Sequence, residues 1–256
     1  MKAMKIMASD FDGTLRRYDA PRPYVRKDDM EAITAFKDAG NLFGMCSGRA
    51  LQSILKESAG MPLSDFYIVS SGAVIAESIC GRIQILKEYE IDRKIAEAIC
   101  SAHGDHKVFY VHLDGKLYRV GSTYEGEQAQ IFVKTFEDLP EGRIEGVSIG
   151  TDSVKTAGKI TRQLLKRYDG KLGVFQNNDY LDCVAYGCSK ASGIQYLREI
   201  YPGHLIGGIG DSFNDIPLLD EADVSFTFDF SPEEVRAHAD YIVTSEAEAL
   251  YILKSL

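Results

Sequence analysis

Short apolar runs alternate with amphipathic segments at both ends of the chain. Residues 4–9 form a run that stops at Asp10, and Leu42–Cys46, Phe66–Val69 and Leu205–Ile209 form three more. Between them, Asp28–Ala39 carries Met30, Ile33 and Phe36 at helical spacing and ends at Gly40, which suits the left-handed position after a helix. Further helices are expected over 49–59, over 191–200 and from about Ile216. Ser231-Pro232-Glu233-Glu234 reads as a capping box with proline at the first helical position. Strands alternating with helices of this length imply βαβ units, hence a Rossmann-like, doubly wound parallel sheet with helices on both faces.

The middle of the chain has another rhythm. Lys107–His112 and Lys116–Val120 are β-rich runs separated by Asp114-Gly115, a pair that tolerates the positive φ of a tight hairpin turn. Helical patterns at 92–102, 124–136 and 154–168 separate strands expected near 144–150, 172–176 and 180–185. The pattern describes an α/β core over 1–78 and 186–256, interrupted by an α+β domain over 79–185.

Composition narrows the partners. The 256 residues are 45% apolar and 26% charged, which is ordinary for a globular protein. A net charge of −9 argues against nucleic acid or an anionic membrane as partner, since both require a basic face. Five cysteines with no C-x-x-C read as reduced thiols. No apolar run approaches the ~18 residues of a membrane span, and Lys5 breaks the first run too early for a signal peptide. The expectation is a soluble, cytoplasmic protein.

The candidate chemistry lies at strand ends, where open parallel sheets bind their ligands. Asp10-Phe11-Asp12-Gly13-Thr14 ends the first strand and brings two carboxylates close together, which raises one pKa unless a cation intervenes. An EF-hand is excluded, because Leu15 stands where its loop needs Gly and Pro21 where it needs Glu. Gly210-Asp211-Ser212-Phe213-Asn214-Asp215 adds two carboxylates after another strand. Oxygen donors without nearby His or Cys suit a hard cation, Mg²⁺ above all. Cys46-Ser47-Gly48-Arg49 sits between strand and helix, where a hydroxyl and free amides can hold an anion. No Gly-Lys pair is followed by Ser or Thr, so a P-loop is absent.

These segments, with Lys190, resemble in order and spacing the four motifs of the haloacid dehalogenase-like hydrolase superfamily. Asp10 and Asp12 match the first, Ser47 the second, Lys190 the third, and Asp211 with Asp215 the fourth. The insertion is similar to the type C2B cap of subfamily IIB, the subfamily of many Cof-type sugar-phosphate phosphatases. Ser71-Gly72-Ala73 stands where relatives often carry Asn-Gly-Ala. The resemblance implies a phosphatase acting on a small phosphorylated metabolite, as a monomer or weak homo-oligomer. Asp10 is then the nucleophile that forms an aspartyl-phosphate, and Asp12 the general acid and base, protonated at neutral pH by a raised pKa. Mg²⁺ is assigned to Asp10, Asp12 through its backbone carbonyl, Asp211 and Asp215, the last directly or indirectly. Ser47, the Gly48 amide, Asn214 and Lys190 hold the phosphoryl oxygens. A phosphomutase or phosphotransferase, and a phosphoester-binding protein without turnover, are the alternatives. Within the cap, Tyr118, Arg119, Asn177, Asn178 and Asp179 are the best candidates for contacting substrate, and His112, which could line the cap's face, is read as a surface or core residue and not as a catalytic one.

Overall fold

The computed structural model describes residues 4–62, 64–121 and 130–256. Its larger sheet has eight strands in the order Tyr241–Val243, Val224–Phe228, Leu205–Ile209, Lys5–Ser9, Leu42–Cys46, Phe66–Val69, Val74–Ile79 and Arg82–Glu88. The first six run parallel; the last two turn back as antiparallel strands. Lys5–Ser9 is buried along its whole length, as a strand covered on both faces must be. Its alternate side chains divide between two cores. Met7 packs with Ile33, Phe36, Leu250 and Leu253 from helices Lys27–Asp38 and Glu246–Ser255. Ile6 and Ala8 pack with Ile194, Leu197 and Leu218 from helices Lys190–Ile200 and Ile216–Glu221.

The chain leaves Lys5–Ser9 toward Leu42–Cys46 on one side and returns to Leu205–Ile209 on the other. That reversal opens a crevice beyond the carboxyl ends of these strands, where Asp10, Ser47 and Asp211 all emerge.

A second sheet is built from Ile131–Val133, Lys116–Val120, Val108–Leu113, Ile144–Gly150, Tyr180–Ala185 and Leu172–Asn177, in that order. Phe109, Val111, Val147, Ile149, Leu181 and Cys183 point to one face, where Ala96, Ile99, Ile160 and Leu164 of helices Arg93–His103 and Val154–Arg167 cover them. The intervening residues Tyr110, His112, Ser148 and Asp182 point to the other face, toward the crevice.

Three expectations change. Arg82–Glu88 pairs with Val74–Ile79, so a boundary at 78/79 cuts through a hairpin of the larger sheet. Of the helix expected over 124–136, residues 124–129 lie outside the described residues. Ile131–Val133 is a strand parallel to Tyr118–Val120, and Phe136–Asp138 a single 3-10 turn. The β-prone triplet Ile-Phe-Val prevails over a short helical pattern. Ser231 does not cap Glu233–Arg236: that helix starts one residue later than expected, with Pro232 at its N-cap, and the Ser231 hydroxyl instead bonds Thr227 Oγ1 (2.9 Å). All five cysteines are free, and no helix among the described residues is long and apolar enough to cross a membrane.

The turn Ser70-Ser71-Gly72 joins the sheet to the site with φ of 50°, 53° and 91°. A Cβ on Gly72 would lie 2.0 Å from the carbonyl oxygen of Ser189, the N-cap of helix Lys190–Ile200. Gly72→Ala is therefore expected to cost about 3 kcal/mol or more, from overpacking and left-handed strain together. Gly170→Ala, at φ 68° with nothing within 4 Å, should cost only about 1–2 kcal/mol. Chemical denaturation of the two variants checks the difference.

Candidate active site

Asp10 directly follows the first strand, and its amide continues the ladder onto Ile209 O (2.9 Å). Lys190, only 3% exposed, donates to Asp10 Oδ1 (2.6 Å) and to Asp215 Oδ1 (2.5 Å). The other oxygen of Asp215 accepts the amides of Asp211 (3.0 Å) and Ser212 (2.9 Å), which fixes the 211–215 turn. Asp211 accepts from Thr14 Oγ1 (2.8 Å). The chain passes beside Asp211 at Gly13, where a Cβ would fall 2.5 Å from its Oδ2.

This cluster is short of positive charge. Burial, the Asp215 charge and the Asp211 charge push the Asp10 carboxyl well above its ordinary value against the pull of Lys190. Burial and Asp215 push Asp211 up to about 7. Burial works against a charged Lys190, but Asp10 and Asp215 hold its ammonium well above the usual range. Carboxylate oxygens of Asp10, Asp211 and Asp215 lie within 4.8 Å of one another. An all-oxygen set starved of cations is chemically suited to a hard divalent metal.

Asp12 belongs to a different set. Arg49 donates to it through Nε (2.5 Å) and Nη2 (2.7 Å), and the Tyr18 hydroxyl adds a third hydrogen bond. Burial raises the Asp12 pKa, but the bidentate guanidinium and Tyr18 outweigh it and leave the pKa below its ordinary value. The expectation of a protonated Asp12 is corrected for this arrangement: the group facing it is an arginine and not another carboxylate.

Asp10, Asp12, Ser47, Gly48 and Asn214 line one wall of a cleft of about 270 Å³; Lys190, Asp211 and Asp215 stand behind Asp10. The Asn214 amide oxygen is buried without a partner. Tyr110, His112, Ser148, Tyr180 and Asp182 form the opposite wall with Asn177, Asn178 and Asp179. Tyr118 and Arg119 are corrected: Tyr118 packs in the second core, and Arg119 lies over the Phe132 ring (5.1 Å). Asn177, Asn178 and Asp179 do reach the cleft. Sequence reasoning missed Arg49, Tyr18, Ser148 and Asp182 and set His112 aside. Arg49 had a signal, since it closes the Ser47-Gly48-Arg49 loop; Asp182 had only its place on a strand's polar face.

A family model described as haloacid dehalogenase-like hydrolase matches residues 7–251. The chain belongs to that family. It is 23% identical over 253 residues to the 5-amino-6-(5-phospho-D-ribitylamino)uracil phosphatase YcsE of Bacillus subtilis, covering 96% of this chain and 92% of that one. Among solved structures, SMU.1108c from Streptococcus mutans UA159 superimposes with a TM-score of 0.79 at 19% identity, covering 99% of this chain and 98% of that chain. The subclass IIB sugar phosphatase BT4131 superimposes with a TM-score of 0.75 at 20% identity, covering 98% and 97%.

The charge balance at Asp10 is testable as stability. Lys190→Met leaves crowded carboxylates without their cation and should destabilise the metal-free protein by about 3 kcal/mol or more at neutral pH. With the Asp10 pKa raised in the folded state, this stability term is present at low pH and lost as pH rises through the folded pKa. The deficit should thus shrink from about pH 8 to about pH 5, as measured by denaturation in EDTA.

Proposed function

We propose that this hydrolase cleaves a small phosphate monoester, a sugar or polyol phosphate, through an aspartyl-phosphate on Asp10 and with Mg²⁺. The observation that carries the reading is the buried Asp10 carboxylate, paired with Lys190 beside two further carboxylates and open to the cleft. Asp10 attacks phosphorus as the leaving alkoxide departs, and Lys190, Ser47, the Gly48 amide and Asn214 hold the phosphoryl oxygens. Asp12 protonates the alkoxide and then takes a proton from the water that hydrolyses the aspartyl-phosphate. Arg49 keeps Asp12 ionised before substrate arrives; a phosphoryl dianion drawing on Arg49 loosens that hold, so Asp12 takes up a proton from solvent water as the cleft is loaded.

Asp10, Asp211 and the backbone carbonyl of Asp12 would hold Mg²⁺, which neutralises the crowded carboxylates and the phosphoryl oxygens. Both oxygens of Asp215 already have partners, so its part is to hold Lys190 and the 211–215 turn in place. The larger-sheet segments carry out the chemistry, and the inserted unit, from about residue 89 to 185, acts as a cap that selects the leaving group. YcsE is named for a phosphate carried on a ribityl chain, a polyol phosphate, which is the kind of ester proposed for this hydrolase.

The test is phosphate release from a panel of small phosphate esters. Mg²⁺ should be required, EDTA should abolish release, and Ca²⁺ should not restore it, because its looser coordination misplaces the phosphoryl group. Asp10→Asn should lower the rate by at least about 10³-fold with the fold retained by circular dichroism, since the amide is a poor nucleophile. Phosphate release by Asp10→Asn at a near-normal rate contradicts the covalent mechanism.

A further inference from the structure

A buried chain of five side chains, four from the second sheet and Ser70 from the turn after Phe66–Val69, ends in the wall of the cleft. Glu145, fully buried, accepts the Gly115 amide through Oε1 (2.5 Å), and its Oε2 lies 3.1 Å from Ser70 Oγ. Ser70 Oγ is 3.1 Å from His112 Nδ1, and His112 Nε2 is 3.0 Å from Ser148 Oγ. Ser148 Oγ is 2.6 Å from Asp182 Oδ1, and Ser71 Oγ donates to Asp182 Oδ2 (3.1 Å). His112, Ser148 and Asp182 line the cleft, and Asp182 lies against the loop proposed to hold phosphate: a Cβ on Gly48 would meet its Oδ2 at 2.9 Å.

Each hydroxyl has one proton to give, so the chain must run in one direction. In one order Glu145 Oε2–H donates to Ser70, Ser70 to His112 Nδ1, His112 Nε2–H to Ser148, and Ser148 to an ionised Asp182. In the other, Asp182–H donates to Ser148, Ser148 to His112 Nε2, His112 Nδ1–H to Ser70, and Ser70 to an ionised Glu145. Both orders hold the same number of protons. A third, with imidazolium between two carboxylates, places three charges in a dry interface. Burial opposes it at each group: His112 is pushed down to about 4, Glu145 up to about 7, and Asp182 upward. The charges beyond the chain act in one direction. Glu88 and Asp114 favour a protonated Glu145, and Lys190 favours an ionised Asp182.

We propose that Asp182 reads the leaving group and shares one proton with Glu145 through Ser148, His112 and Ser70, so that the cleft presents either a carboxylate or an uncharged carboxyl there. The proposal rests on the hydrolase reading above. At rest the proton is on Glu145, and Asp182 accepts from a hydroxyl or ammonium of the leaving group. An anionic group brought against Asp182 draws the proton over. Glu145 Oε2–H, Ser70 O–H, His112 Nε2–H and Ser148 O–H break as bonds form to Ser70 Oγ, His112 Nδ1, Ser148 Oγ and Asp182 Oδ1. The net change is one proton moved from Glu145 to Asp182. Glu145 is thus a positioning residue that never touches substrate.

Glu145→Gln tests this. Its amide oxygen must still face the Gly115 amide, so its NH₂ faces Ser70 and can only donate, which fixes Asp182 as an acceptor. Ethanolamine phosphate and phosphoglycolate place an ammonium or a carboxylate at similar reach, with p-nitrophenyl phosphate as reference. Glu145→Gln should keep kcat/KM for ethanolamine phosphate and lose at least about tenfold for phosphoglycolate. Ser70→Ala, which cuts the chain without fixing its direction, should move both esters by the same factor. The proposal fails if Glu145→Gln also moves both alike, or if the wild type cleaves ethanolamine phosphate and not phosphoglycolate. Infrared difference spectroscopy reads the proton without turnover: at about pH 6, below the Glu145 pKa, the variant should lack one protonated-carboxyl band of the wild type. No missing band overturns the shared proton. No release from any of the three esters overturns the ester preference, and with no release from the sugar- and polyol-phosphate panel either, the hydrolase reading falls as well, while the band still decides the proton order.

Discussion

A single ammonium group organises this protein. Lys190 lies out of water between Asp10 and Asp215, and removing three charges from solvent is tolerable only where they meet in close hydrogen-bonded geometry. Meeting that condition fixes three distant parts of the chain. The end of the first strand supplies Asp10, the first turn of helix Lys190–Ile200 supplies the ammonium, and the turn after Leu205–Ile209 supplies Asp215. Glycine makes the approach sterically feasible at two points. Gly13 leaves room for the Asp211 carboxylate, and Gly72 leaves room for the carbonyl of Ser189, so that Lys190 enters at the required depth.

The cleft above this cluster joins two walls with different chemistry. The wall from the larger sheet carries concentrated charge: Asp10 with its cation-starved neighbours, and Asp12 held by Arg49 and Tyr18. The wall from the second sheet carries hydroxyls, amides, an imidazole and carboxylates, presented by the alternation of strand side chains. Tyr110, Ser148 and Asp182 lie opposite one another across three neighbouring strands, so register sets their spacing. The strained Ser70-Ser71 turn bonds directly to that wall, through His112 and Glu145 on one side and Asp182 on the other.

Much of this was legible in the sequence, for identifiable reasons. Leu42–Cys46, Phe66–Val69 and Leu205–Ile209 are continuous apolar runs bounded by polar residues, and each is a strand with those bounds. Asp10, Ser47, Lys190 and Asp211 fall at strand or helix ends, where spacing along the chain indicates spatial proximity. What was not legible depends on contacts between distant residues. Nothing near Asp12 in sequence indicates that Arg49 sets its ionisation, and nothing near His112 indicates a partner on Ser70. Residues 131–133 adopt a strand because an edge was available at Tyr118–Val120, and a helical period of a few residues cannot register that.

The central claim is that Asp10 carries the phosphoryl group. Acid-quenched single turnovers with a ³²P-labelled ester test it most directly. Transient label is expected on the protein, recovered in the peptide containing Asp10 and decaying as inorganic phosphate appears. Full phosphate release within one turnover, with no label on the Asp10 peptide at any time, would contradict it.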